Sequence, residues 1–286
     1  MARDFVLNVI GRECARVVGT LGREVTWLKR GFAFDLPFDG EPSAMLHTAK
    51  TAAGDAALDI NIVAAAHRRK KLLVADMDST IIGCECLDEI ADMMEMKPQV
   101  SAITERAMRG EIEFAPALRE RVALLKGLPV HRLARVYAER VRLNPGARVL
   151  VATMKANGAR AVLVSGGFTY FTSRVAVDAG FDSDRANTLL DDGGRLTGEV
   201  GEPILGREAK LTALEETVAE MGIGFADTLA VGDGANDLDM IGRAGMGVAY
   251  HAKPVVAAMA GARIDHNDLT ALLFLQGYHE HEFARI

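Results

Sequence analysis

Three short apolar runs dictate most of what this chain can fold into. Leu72–Ala75, Ala161–Val164 and Thr228–Val231 are each followed by a polar loop bearing Asp or Gly, and each loop leads into a helical pattern. Continuous apolar strands of this length are buried on both faces, so helices must cover both sides of a parallel sheet. Gly247–Tyr250 is a further run of this kind. The fold class expected is therefore α/β, built on a doubly wound parallel sheet. Asn187–Leu190, Asp191–Gly194 and Arg195–Val200 read as a β-hairpin beside it.

The strand ends carry chemistry. In LLVADMDST, residues 72–80, an apolar run ends in two carboxylates one residue apart. A buried strand gains nothing from acids at its tip, whereas a metal or phosphoryl-transfer site does. Side chains at i and i+2 leave an extended segment on one side, so Asp76 and Asp78 can face one ligand. Gly232-Asp233-Gly234-Ala235-Asn236-Asp237 follows the run Thr228–Val231. Parallel neighbours would bring Asp233 beside Asp76. A lone Asp after a strand is usually a helix N-cap, but four acids and an Asn crowd two strand ends here. Converging carboxylates form a hard, oxygen-rich site suited to Mg²⁺. Ser165-Gly166-Gly167-Phe168-Thr169 offers hydroxyl and backbone N–H donors to a phosphate. A plain strand-to-helix turn would read the same way. Lys210 opens a helical run and is a surface lysine unless that site draws it in as a fixed cation.

Two regions flank these runs. The chain has 286 residues, a length that suits two domains. Residues 1–68 read as a small α+β domain. Its strands are Phe5–Ile10 and Ala57–Val63, with a long extended region over Val25–Phe38. Its helix covers Glu41–Ala53, with Pro42 in the first turn. Arg68-Arg69-Lys70-Lys71 reads as a solvated linker into a second domain, residues 69–286. Within that domain, residues 81–143 form a helix-rich insert punctuated by Pro98, Gly110, Pro116, Gly127 and Pro129. Helices are expected near 86–96, 99–109, 114–126 and 130–142. An insert directly after the first strand lies over the carboxyl edge of the sheet, where open α/β folds bind ligands, and is a candidate lid.

Composition excludes some classes. A net charge of −6 argues against a nucleic-acid partner. No uncharged apolar run is long enough to span a membrane, and the N-terminus lacks a signal-peptide pattern. Three cysteines are too few for a disulfide framework. A soluble cytoplasmic protein is expected. Cys84-Glu85-Cys86 reads as incidental thiols, His279-Glu280-His281-Glu282 as a solvated tail, and Met93, Met94 and Met96 as lid core or substrate lining.

The ordered set Asp76-Met77-Asp78-Ser79-Thr80, Ser165-Gly166-Gly167, Lys210 and Gly232–Asp237 resembles the motifs of the haloacid dehalogenase superfamily. Glu85–Ile90 and Phe114–Pro129 bring the resemblance closer, to the phosphoserine phosphatase family of the serine-biosynthesis type, over about residues 71–275. More weakly, residues 1–68 resemble the ACT-like region that precedes the catalytic domain in longer members. They are shorter than a complete unit with its linker. The resemblance implies a Rossmann-like core with a helical cap, Mg²⁺ as cofactor, and O-phospho-L-serine as a small-molecule substrate. It leaves room for a homodimer.

It also implies roles. Asp76 would attack phosphorus, and Asp78 would protonate the leaving oxygen. Asp76, the Asp78 backbone carbonyl and Asp233 would hold Mg²⁺, and Asp237 would support the metal or orient Lys210. Ser79, Ser165, Gly166, Lys210 and Asn236 would bind phosphate. Glu85 would take the substrate ammonium and Arg121 its carboxylate, with Phe114 lining the same pocket. Periodicity agrees in part: Phe114 and Arg121 are seven apart and share a helix face, whereas Arg119 points about 140° away. An ion pair of Arg121 with Glu120 or Glu111 is the plainer alternative. The motifs do not separate hydrolysis from phosphoryl transfer to another alcohol such as homoserine. A sensing protein with a vestigial phosphatase domain is the rival of another class.

Overall fold

The computed structural model describes residues 3–109 and 111–286. Gly110 lies outside them. Residues 5–64 form a βαββαβ unit: β1 (Phe5–Ile10), helix Ala15–Leu21, β2 (Thr26–Lys29), β3 (Ala33–Phe38), helix Pro42–Ala53 and β4 (Asp59–Ala64). The sheet order is β2-β3-β1-β4, antiparallel throughout. Two expectations are corrected here. The extended region Val25–Phe38 is two strands folded back at Gly31, whose φ of 71° suits a residue without a Cβ. The unit is also complete, with all six elements of a ferredoxin-like motif in sixty residues. The helix Ala15–Leu21 is short and interrupted by Gly19, so it left no periodic trace in the sequence.

One face of this sheet, with Leu7, Val9, Phe34 and Leu36, packs under its two helices. The other face, with Val6, Ile10 and Val63, joins the core of the rest of the chain. Arg68 is pulled into that junction, donating to both carboxylate oxygens of Asp35 at 2.5 and 2.8 Å and to the Leu275 carbonyl. Lys70 is buried and donates to the Ala226 carbonyl at 2.7 Å. Half of the basic cluster, Arg68 and Lys70, is therefore drawn inward, whereas Arg69 and Lys71 stay exposed. A charge run shows no periodicity, so its burial could not be read from sequence. The His279–Glu282 segment is likewise docked rather than free, through Glu282 on Arg69 and Glu280 on Lys29.

The main sheet follows: β5 (Leu72–Ala75), β6 (Arg160–Phe168), β7 (Ser183–Asn187), and, after the hairpin β8 (Leu189–Asp192) and β9 (Arg195–Val200), β10 (Thr228–Gly232), β11 (Met246–Tyr250) and β12 (Ala262–Ile264). Its order is β12-β11-β10-β5-β6-β7, all parallel. Alternate residues face opposite layers. Leu73, Ala75, Leu163 and Val231 meet the helices Ala147–Ala156 and Thr169–Ala179. Leu72, Val74, Val162 and Ala230 meet the helix Arg207–Met221. The chain winds one way from β5 to β7 and the other way from β10 to β12, so the switch point lies at the carboxyl end of β5. β7 and β12 escaped the sequence reading, being short and poor in β-branched residues. The side-chain amide of Asn61 donates to the Arg263 carbonyl and accepts from its N–H, bridging β4 to β12.

The insert forms helices Cys86–Met93, Lys97–Met108, Phe114–Ala123 and His131–Arg140. It joins the core through an antiparallel bridge between Ile82 and Leu143. The hairpin β8–β9 turns at Gly193-Gly194 and braces the insert, with backbone bonds between Leu196 and both Gly127 and Leu128. Among the described residues no helix is long and apolar enough to cross a membrane.

Candidate active site

Sheet register places the two acidic loops together. Ala75 pairs with Val231 of β10 and Leu163 of β6, so Asp76, Asp233 and Ser165 emerge from three adjacent strands. They line one cavity of about 450 Å³ between the strand ends and the insert. Asp78, Ser79, Glu85, Phe114, Arg121, Gly166 and Asn236 line it too. Lys210 and Asp237 lie beneath its floor, both fully buried.

Lys210 fixes the floor. Its ammonium lies 2.7 Å from Asp76 Oδ1 and 2.6 Å from Asp237 Oδ1. Burial opposes its charge, but the two carboxylates more than offset that and hold it protonated. Asp237 thus contacts Lys210 directly, and its carboxylate also lies in the acidic cluster beside Asp76 and Asp233. Its other oxygen accepts the Gly234 N–H at 2.9 Å. A Cβ on Gly232 would sit 2.3 Å from the Asp237 carboxyl carbon, so only glycine fits there.

Oxygens of Asp76, Asp233 and Asp237 lie within 4.8 Å of one another. This all-carboxylate donor set is hard and anionic, and it fits a divalent cation. Asp78 plays a different part. Its carboxylate accepts the Cys86 N–H at 2.9 Å and the Ser165 hydroxyl at 3.2 Å. Burial, then the charge of Glu85, pushes its pKa up to about 6. Burial and Asp237 push Asp233 up to about 6 as well, and the same causes raise Asp76. The Cys86 thiol is pushed up by the Cys84 sulfur and by burial, which keeps it neutral rather than a metal-binding thiolate.

The turn Met77–Ile81 presents these groups. Ser79 adopts a left-handed φ of 56°, a conformation that costs energy outside glycine and clusters at functional sites. Its hydroxyl donates to Glu85 at 2.7 Å instead of reaching toward the strand ends. Ser165 Oγ also accepts the Gly167 N–H.

The insert supplies the opposite wall. Arg121 Nε donates to the Ala117 carbonyl at 3.2 Å, within its own helix. The ion-pair partners considered for it are taken: Glu120 pairs with Arg106 and Glu111 with Arg109. Arg119 is exposed and pairs with Glu202. A Cβ on Gly166 or Gly206 would meet the Phe114 ring at 3.4 or 3.3 Å, so the ring closes over two side-chain-free positions. Sequence reasoning missed Asp88, Thr104 and Lys253, which also line the cavity. For Lys253 a signal existed, since it follows a run already read as a strand.

These raised carboxyls have a measurable consequence. In the folded chain Asp78 and Asp233 titrate above the ordinary carboxylate range. The folded state therefore favours their protonated forms, and that contribution to stability is lost as pH rises through about 6. The metal-free protein should lose thermal stability from pH 5 to pH 8. Millimolar Mg²⁺ should restore it more at pH 8 than at pH 5.5, where protons compete for the same oxygens. Equal stabilisation at both pH values, read by thermal unfolding with and without chelator, would remove the carboxylate cluster as the cation site.

The sequence profile of the haloacid dehalogenase-like hydrolases matches residues 73–242. The chain belongs to this hydrolase family. Within the haloacid dehalogenase-like hydrolases, it is 50% identical over 210 residues to a phosphoserine phosphatase of Polaromonas sp., covering 72% of this chain and 89% of that one. A probable phosphoserine phosphatase structure from Vibrio cholerae superposes with a TM-score of 0.81 at 33% identity, covering 97% of this chain and 88% of that one. The N-terminal sheet is thus part of the likeness. A substrate-bound phosphoserine phosphatase complex superposes with a TM-score of 0.66 at 37% identity, over 72% of this chain and 97% of that one. Haloacid dehalogenase-like phosphatases use a divalent metal, and the carboxylate cluster here could hold one.

Proposed function

We propose that this chain is a Mg²⁺-dependent phosphoserine phosphatase, hydrolysing O-phospho-L-serine to L-serine and phosphate as the last step of serine biosynthesis. One observation carries the reading. A single cavity joins a phosphoryl-transfer floor to an insert wall that carries the Arg121 guanidinium and the carboxylates of Glu85 and Asp88. That pairing matches the ammonium and carboxylate of an amino-acid phosphate ester. The relatives at 50% and 37% identity support it. We take residues 1–68 as a separate domain and 69–286 as the catalytic one, with 81–143 as its cap. Free cysteines support a cytoplasmic location.

Asp76 attacks phosphorus, giving an aspartyl-phosphate and splitting a slow hydrolysis into two steps. Lys210 holds that carboxylate in place. Asp78 protonates the leaving serine oxygen and then takes a proton from the incoming water. A pKa near 6 suits both duties better than the ordinary carboxylate range. Ser165 orients Asp78 and donates toward the phosphate, with Gly166 and Asn236 beside it. Mg²⁺ would be held by Asp76 and Asp233, with Asp237 nearby and the Asp78 carbonyl as a further oxygen. When bound, it neutralises charge on the phosphoryl oxygens. Glu85, held by Ser79, meets the ammonium, and Arg121 meets the carboxylate.

The test is phosphate release with Mg²⁺ from O-phospho-L-serine, phosphothreonine, phosphoethanolamine and an aryl phosphate. Phosphoserine should be preferred over phosphoethanolamine, which lacks the carboxylate, by roughly 30-fold or more in kcat/KM. Equal activity across the panel would overturn the substrate assignment. Serine binding without any turnover would instead support a sensing role.

A further inference from the structure

We propose that Lys253 is a second phosphate-binding cation, placed at the open side of the site to draw the substrate phosphate in and hold the product phosphate as it leaves. The proposal rests on the phosphatase reading above. Lys253 follows β11, on the carboxyl edge of the sheet, one strand from β10. Its N–H donates to the Asp233 carbonyl at 3.2 Å, which ties its backbone to the acidic loop. The residue is exposed, yet it lines the cavity beside Asp233 and Asn236. Its charge acts on Asp233, opposing the rise in that carboxyl's pKa.

Charge balance shows why this matters. Five acids line the cavity: Asp76, Asp78, Glu85, Asp88 and Asp233. A phosphate dianion approaching them is repelled. Lys210 is buried and already held between Asp76 and Asp237. Arg121 stands at the far wall, on the cap. Lys253 makes no ion pair among the described residues, so its ammonium is available to an arriving anion. An uncommitted cation at the mouth of an acidic cleft raises the local concentration of anions, and salt screens the effect.

The experiment compares Lys253→Gln and Lys253→Arg with the wild type, and uses Arg119→Gln as a control for lost surface charge. kcat/KM is read across ionic strength, and inorganic phosphate is titrated as a competitive inhibitor. Lys253→Gln should lower kcat/KM about tenfold at low salt, flatten its salt dependence and weaken phosphate inhibition about as much. Lys253→Arg should keep all three within about threefold, and Arg119→Gln should match the wild type. A Lys253→Gln enzyme with wild-type salt dependence and phosphate inhibition overturns the proposal. Should the wild type prefer another phosphate ester, the substrate reading fails. The phosphate-inhibition comparison, run on that ester, still decides the role of Lys253.

Discussion

Asp76→Asn lowers kcat by at least about 10⁴-fold and leaves the fold intact. Losing a covalent nucleophile costs this much or more, because the remaining groups cannot replace the attacking atom. The fold survives for local reasons. An Asn carbonyl can still accept the Met77 N–H that Asp76 Oδ1 accepts at 2.8 Å. Lys210 keeps its 2.6 Å contact with Asp237. Burial and Asp237 already disfavour a charge at position 76, so neutralising it removes a repulsion. Unfolding of the metal-free variant should therefore occur at or above the wild-type temperature. Steady-state turnover beside thermal unfolding checks both halves. Activity near wild type would remove Asp76 as nucleophile, whereas a collapsed fold would show its main role to be structural.

Arg121→Ala separates substrates instead of abolishing chemistry. A charge-assisted pair with the substrate carboxylate, in a half-buried site, contributes about 2–4 kcal/mol. That is roughly 30- to 1000-fold in kcat/KM for phosphoserine. Phosphoethanolamine, which has no carboxylate to lose, should change by less than about threefold. The structure favours this outcome because Glu120 and Glu111 are paired elsewhere and, among the described residues, the guanidinium is hydrogen-bonded within its own helix while Asp88 and Glu85 act on it through their charge. Equal losses on both substrates would sink the carboxylate role and make Arg121 a support for the cap. Serine inhibition, measured on the same variant, should weaken in parallel.

Sequence alone went far for residues whose roles follow from local order. Leu72–Ala75 and Thr228–Val231 could only be buried parallel strands, because their apolar runs are continuous and bounded by polar loops. Asp76 and Asp233 would then meet if those strands were neighbours, as they are in the folded sheet, since adjacent parallel strands carry their next residues to the same edge. The cap helices followed from a helix-rich insert punctuated by Pro and Gly, and the shared face of Phe114 and Arg121 from a 3.6-residue period. Tertiary structure decided what depends on partners far away in the chain. It put Lys210 between two carboxylates, turned Arg68 and Lys70 inward, closed a complete N-terminal unit onto the core, and brought Lys253 to the mouth of the cavity. A lysine or arginine reads alike in sequence whether it is solvated or buried, because its burial depends on an opposite charge or a carbonyl that only the folded chain brings within reach.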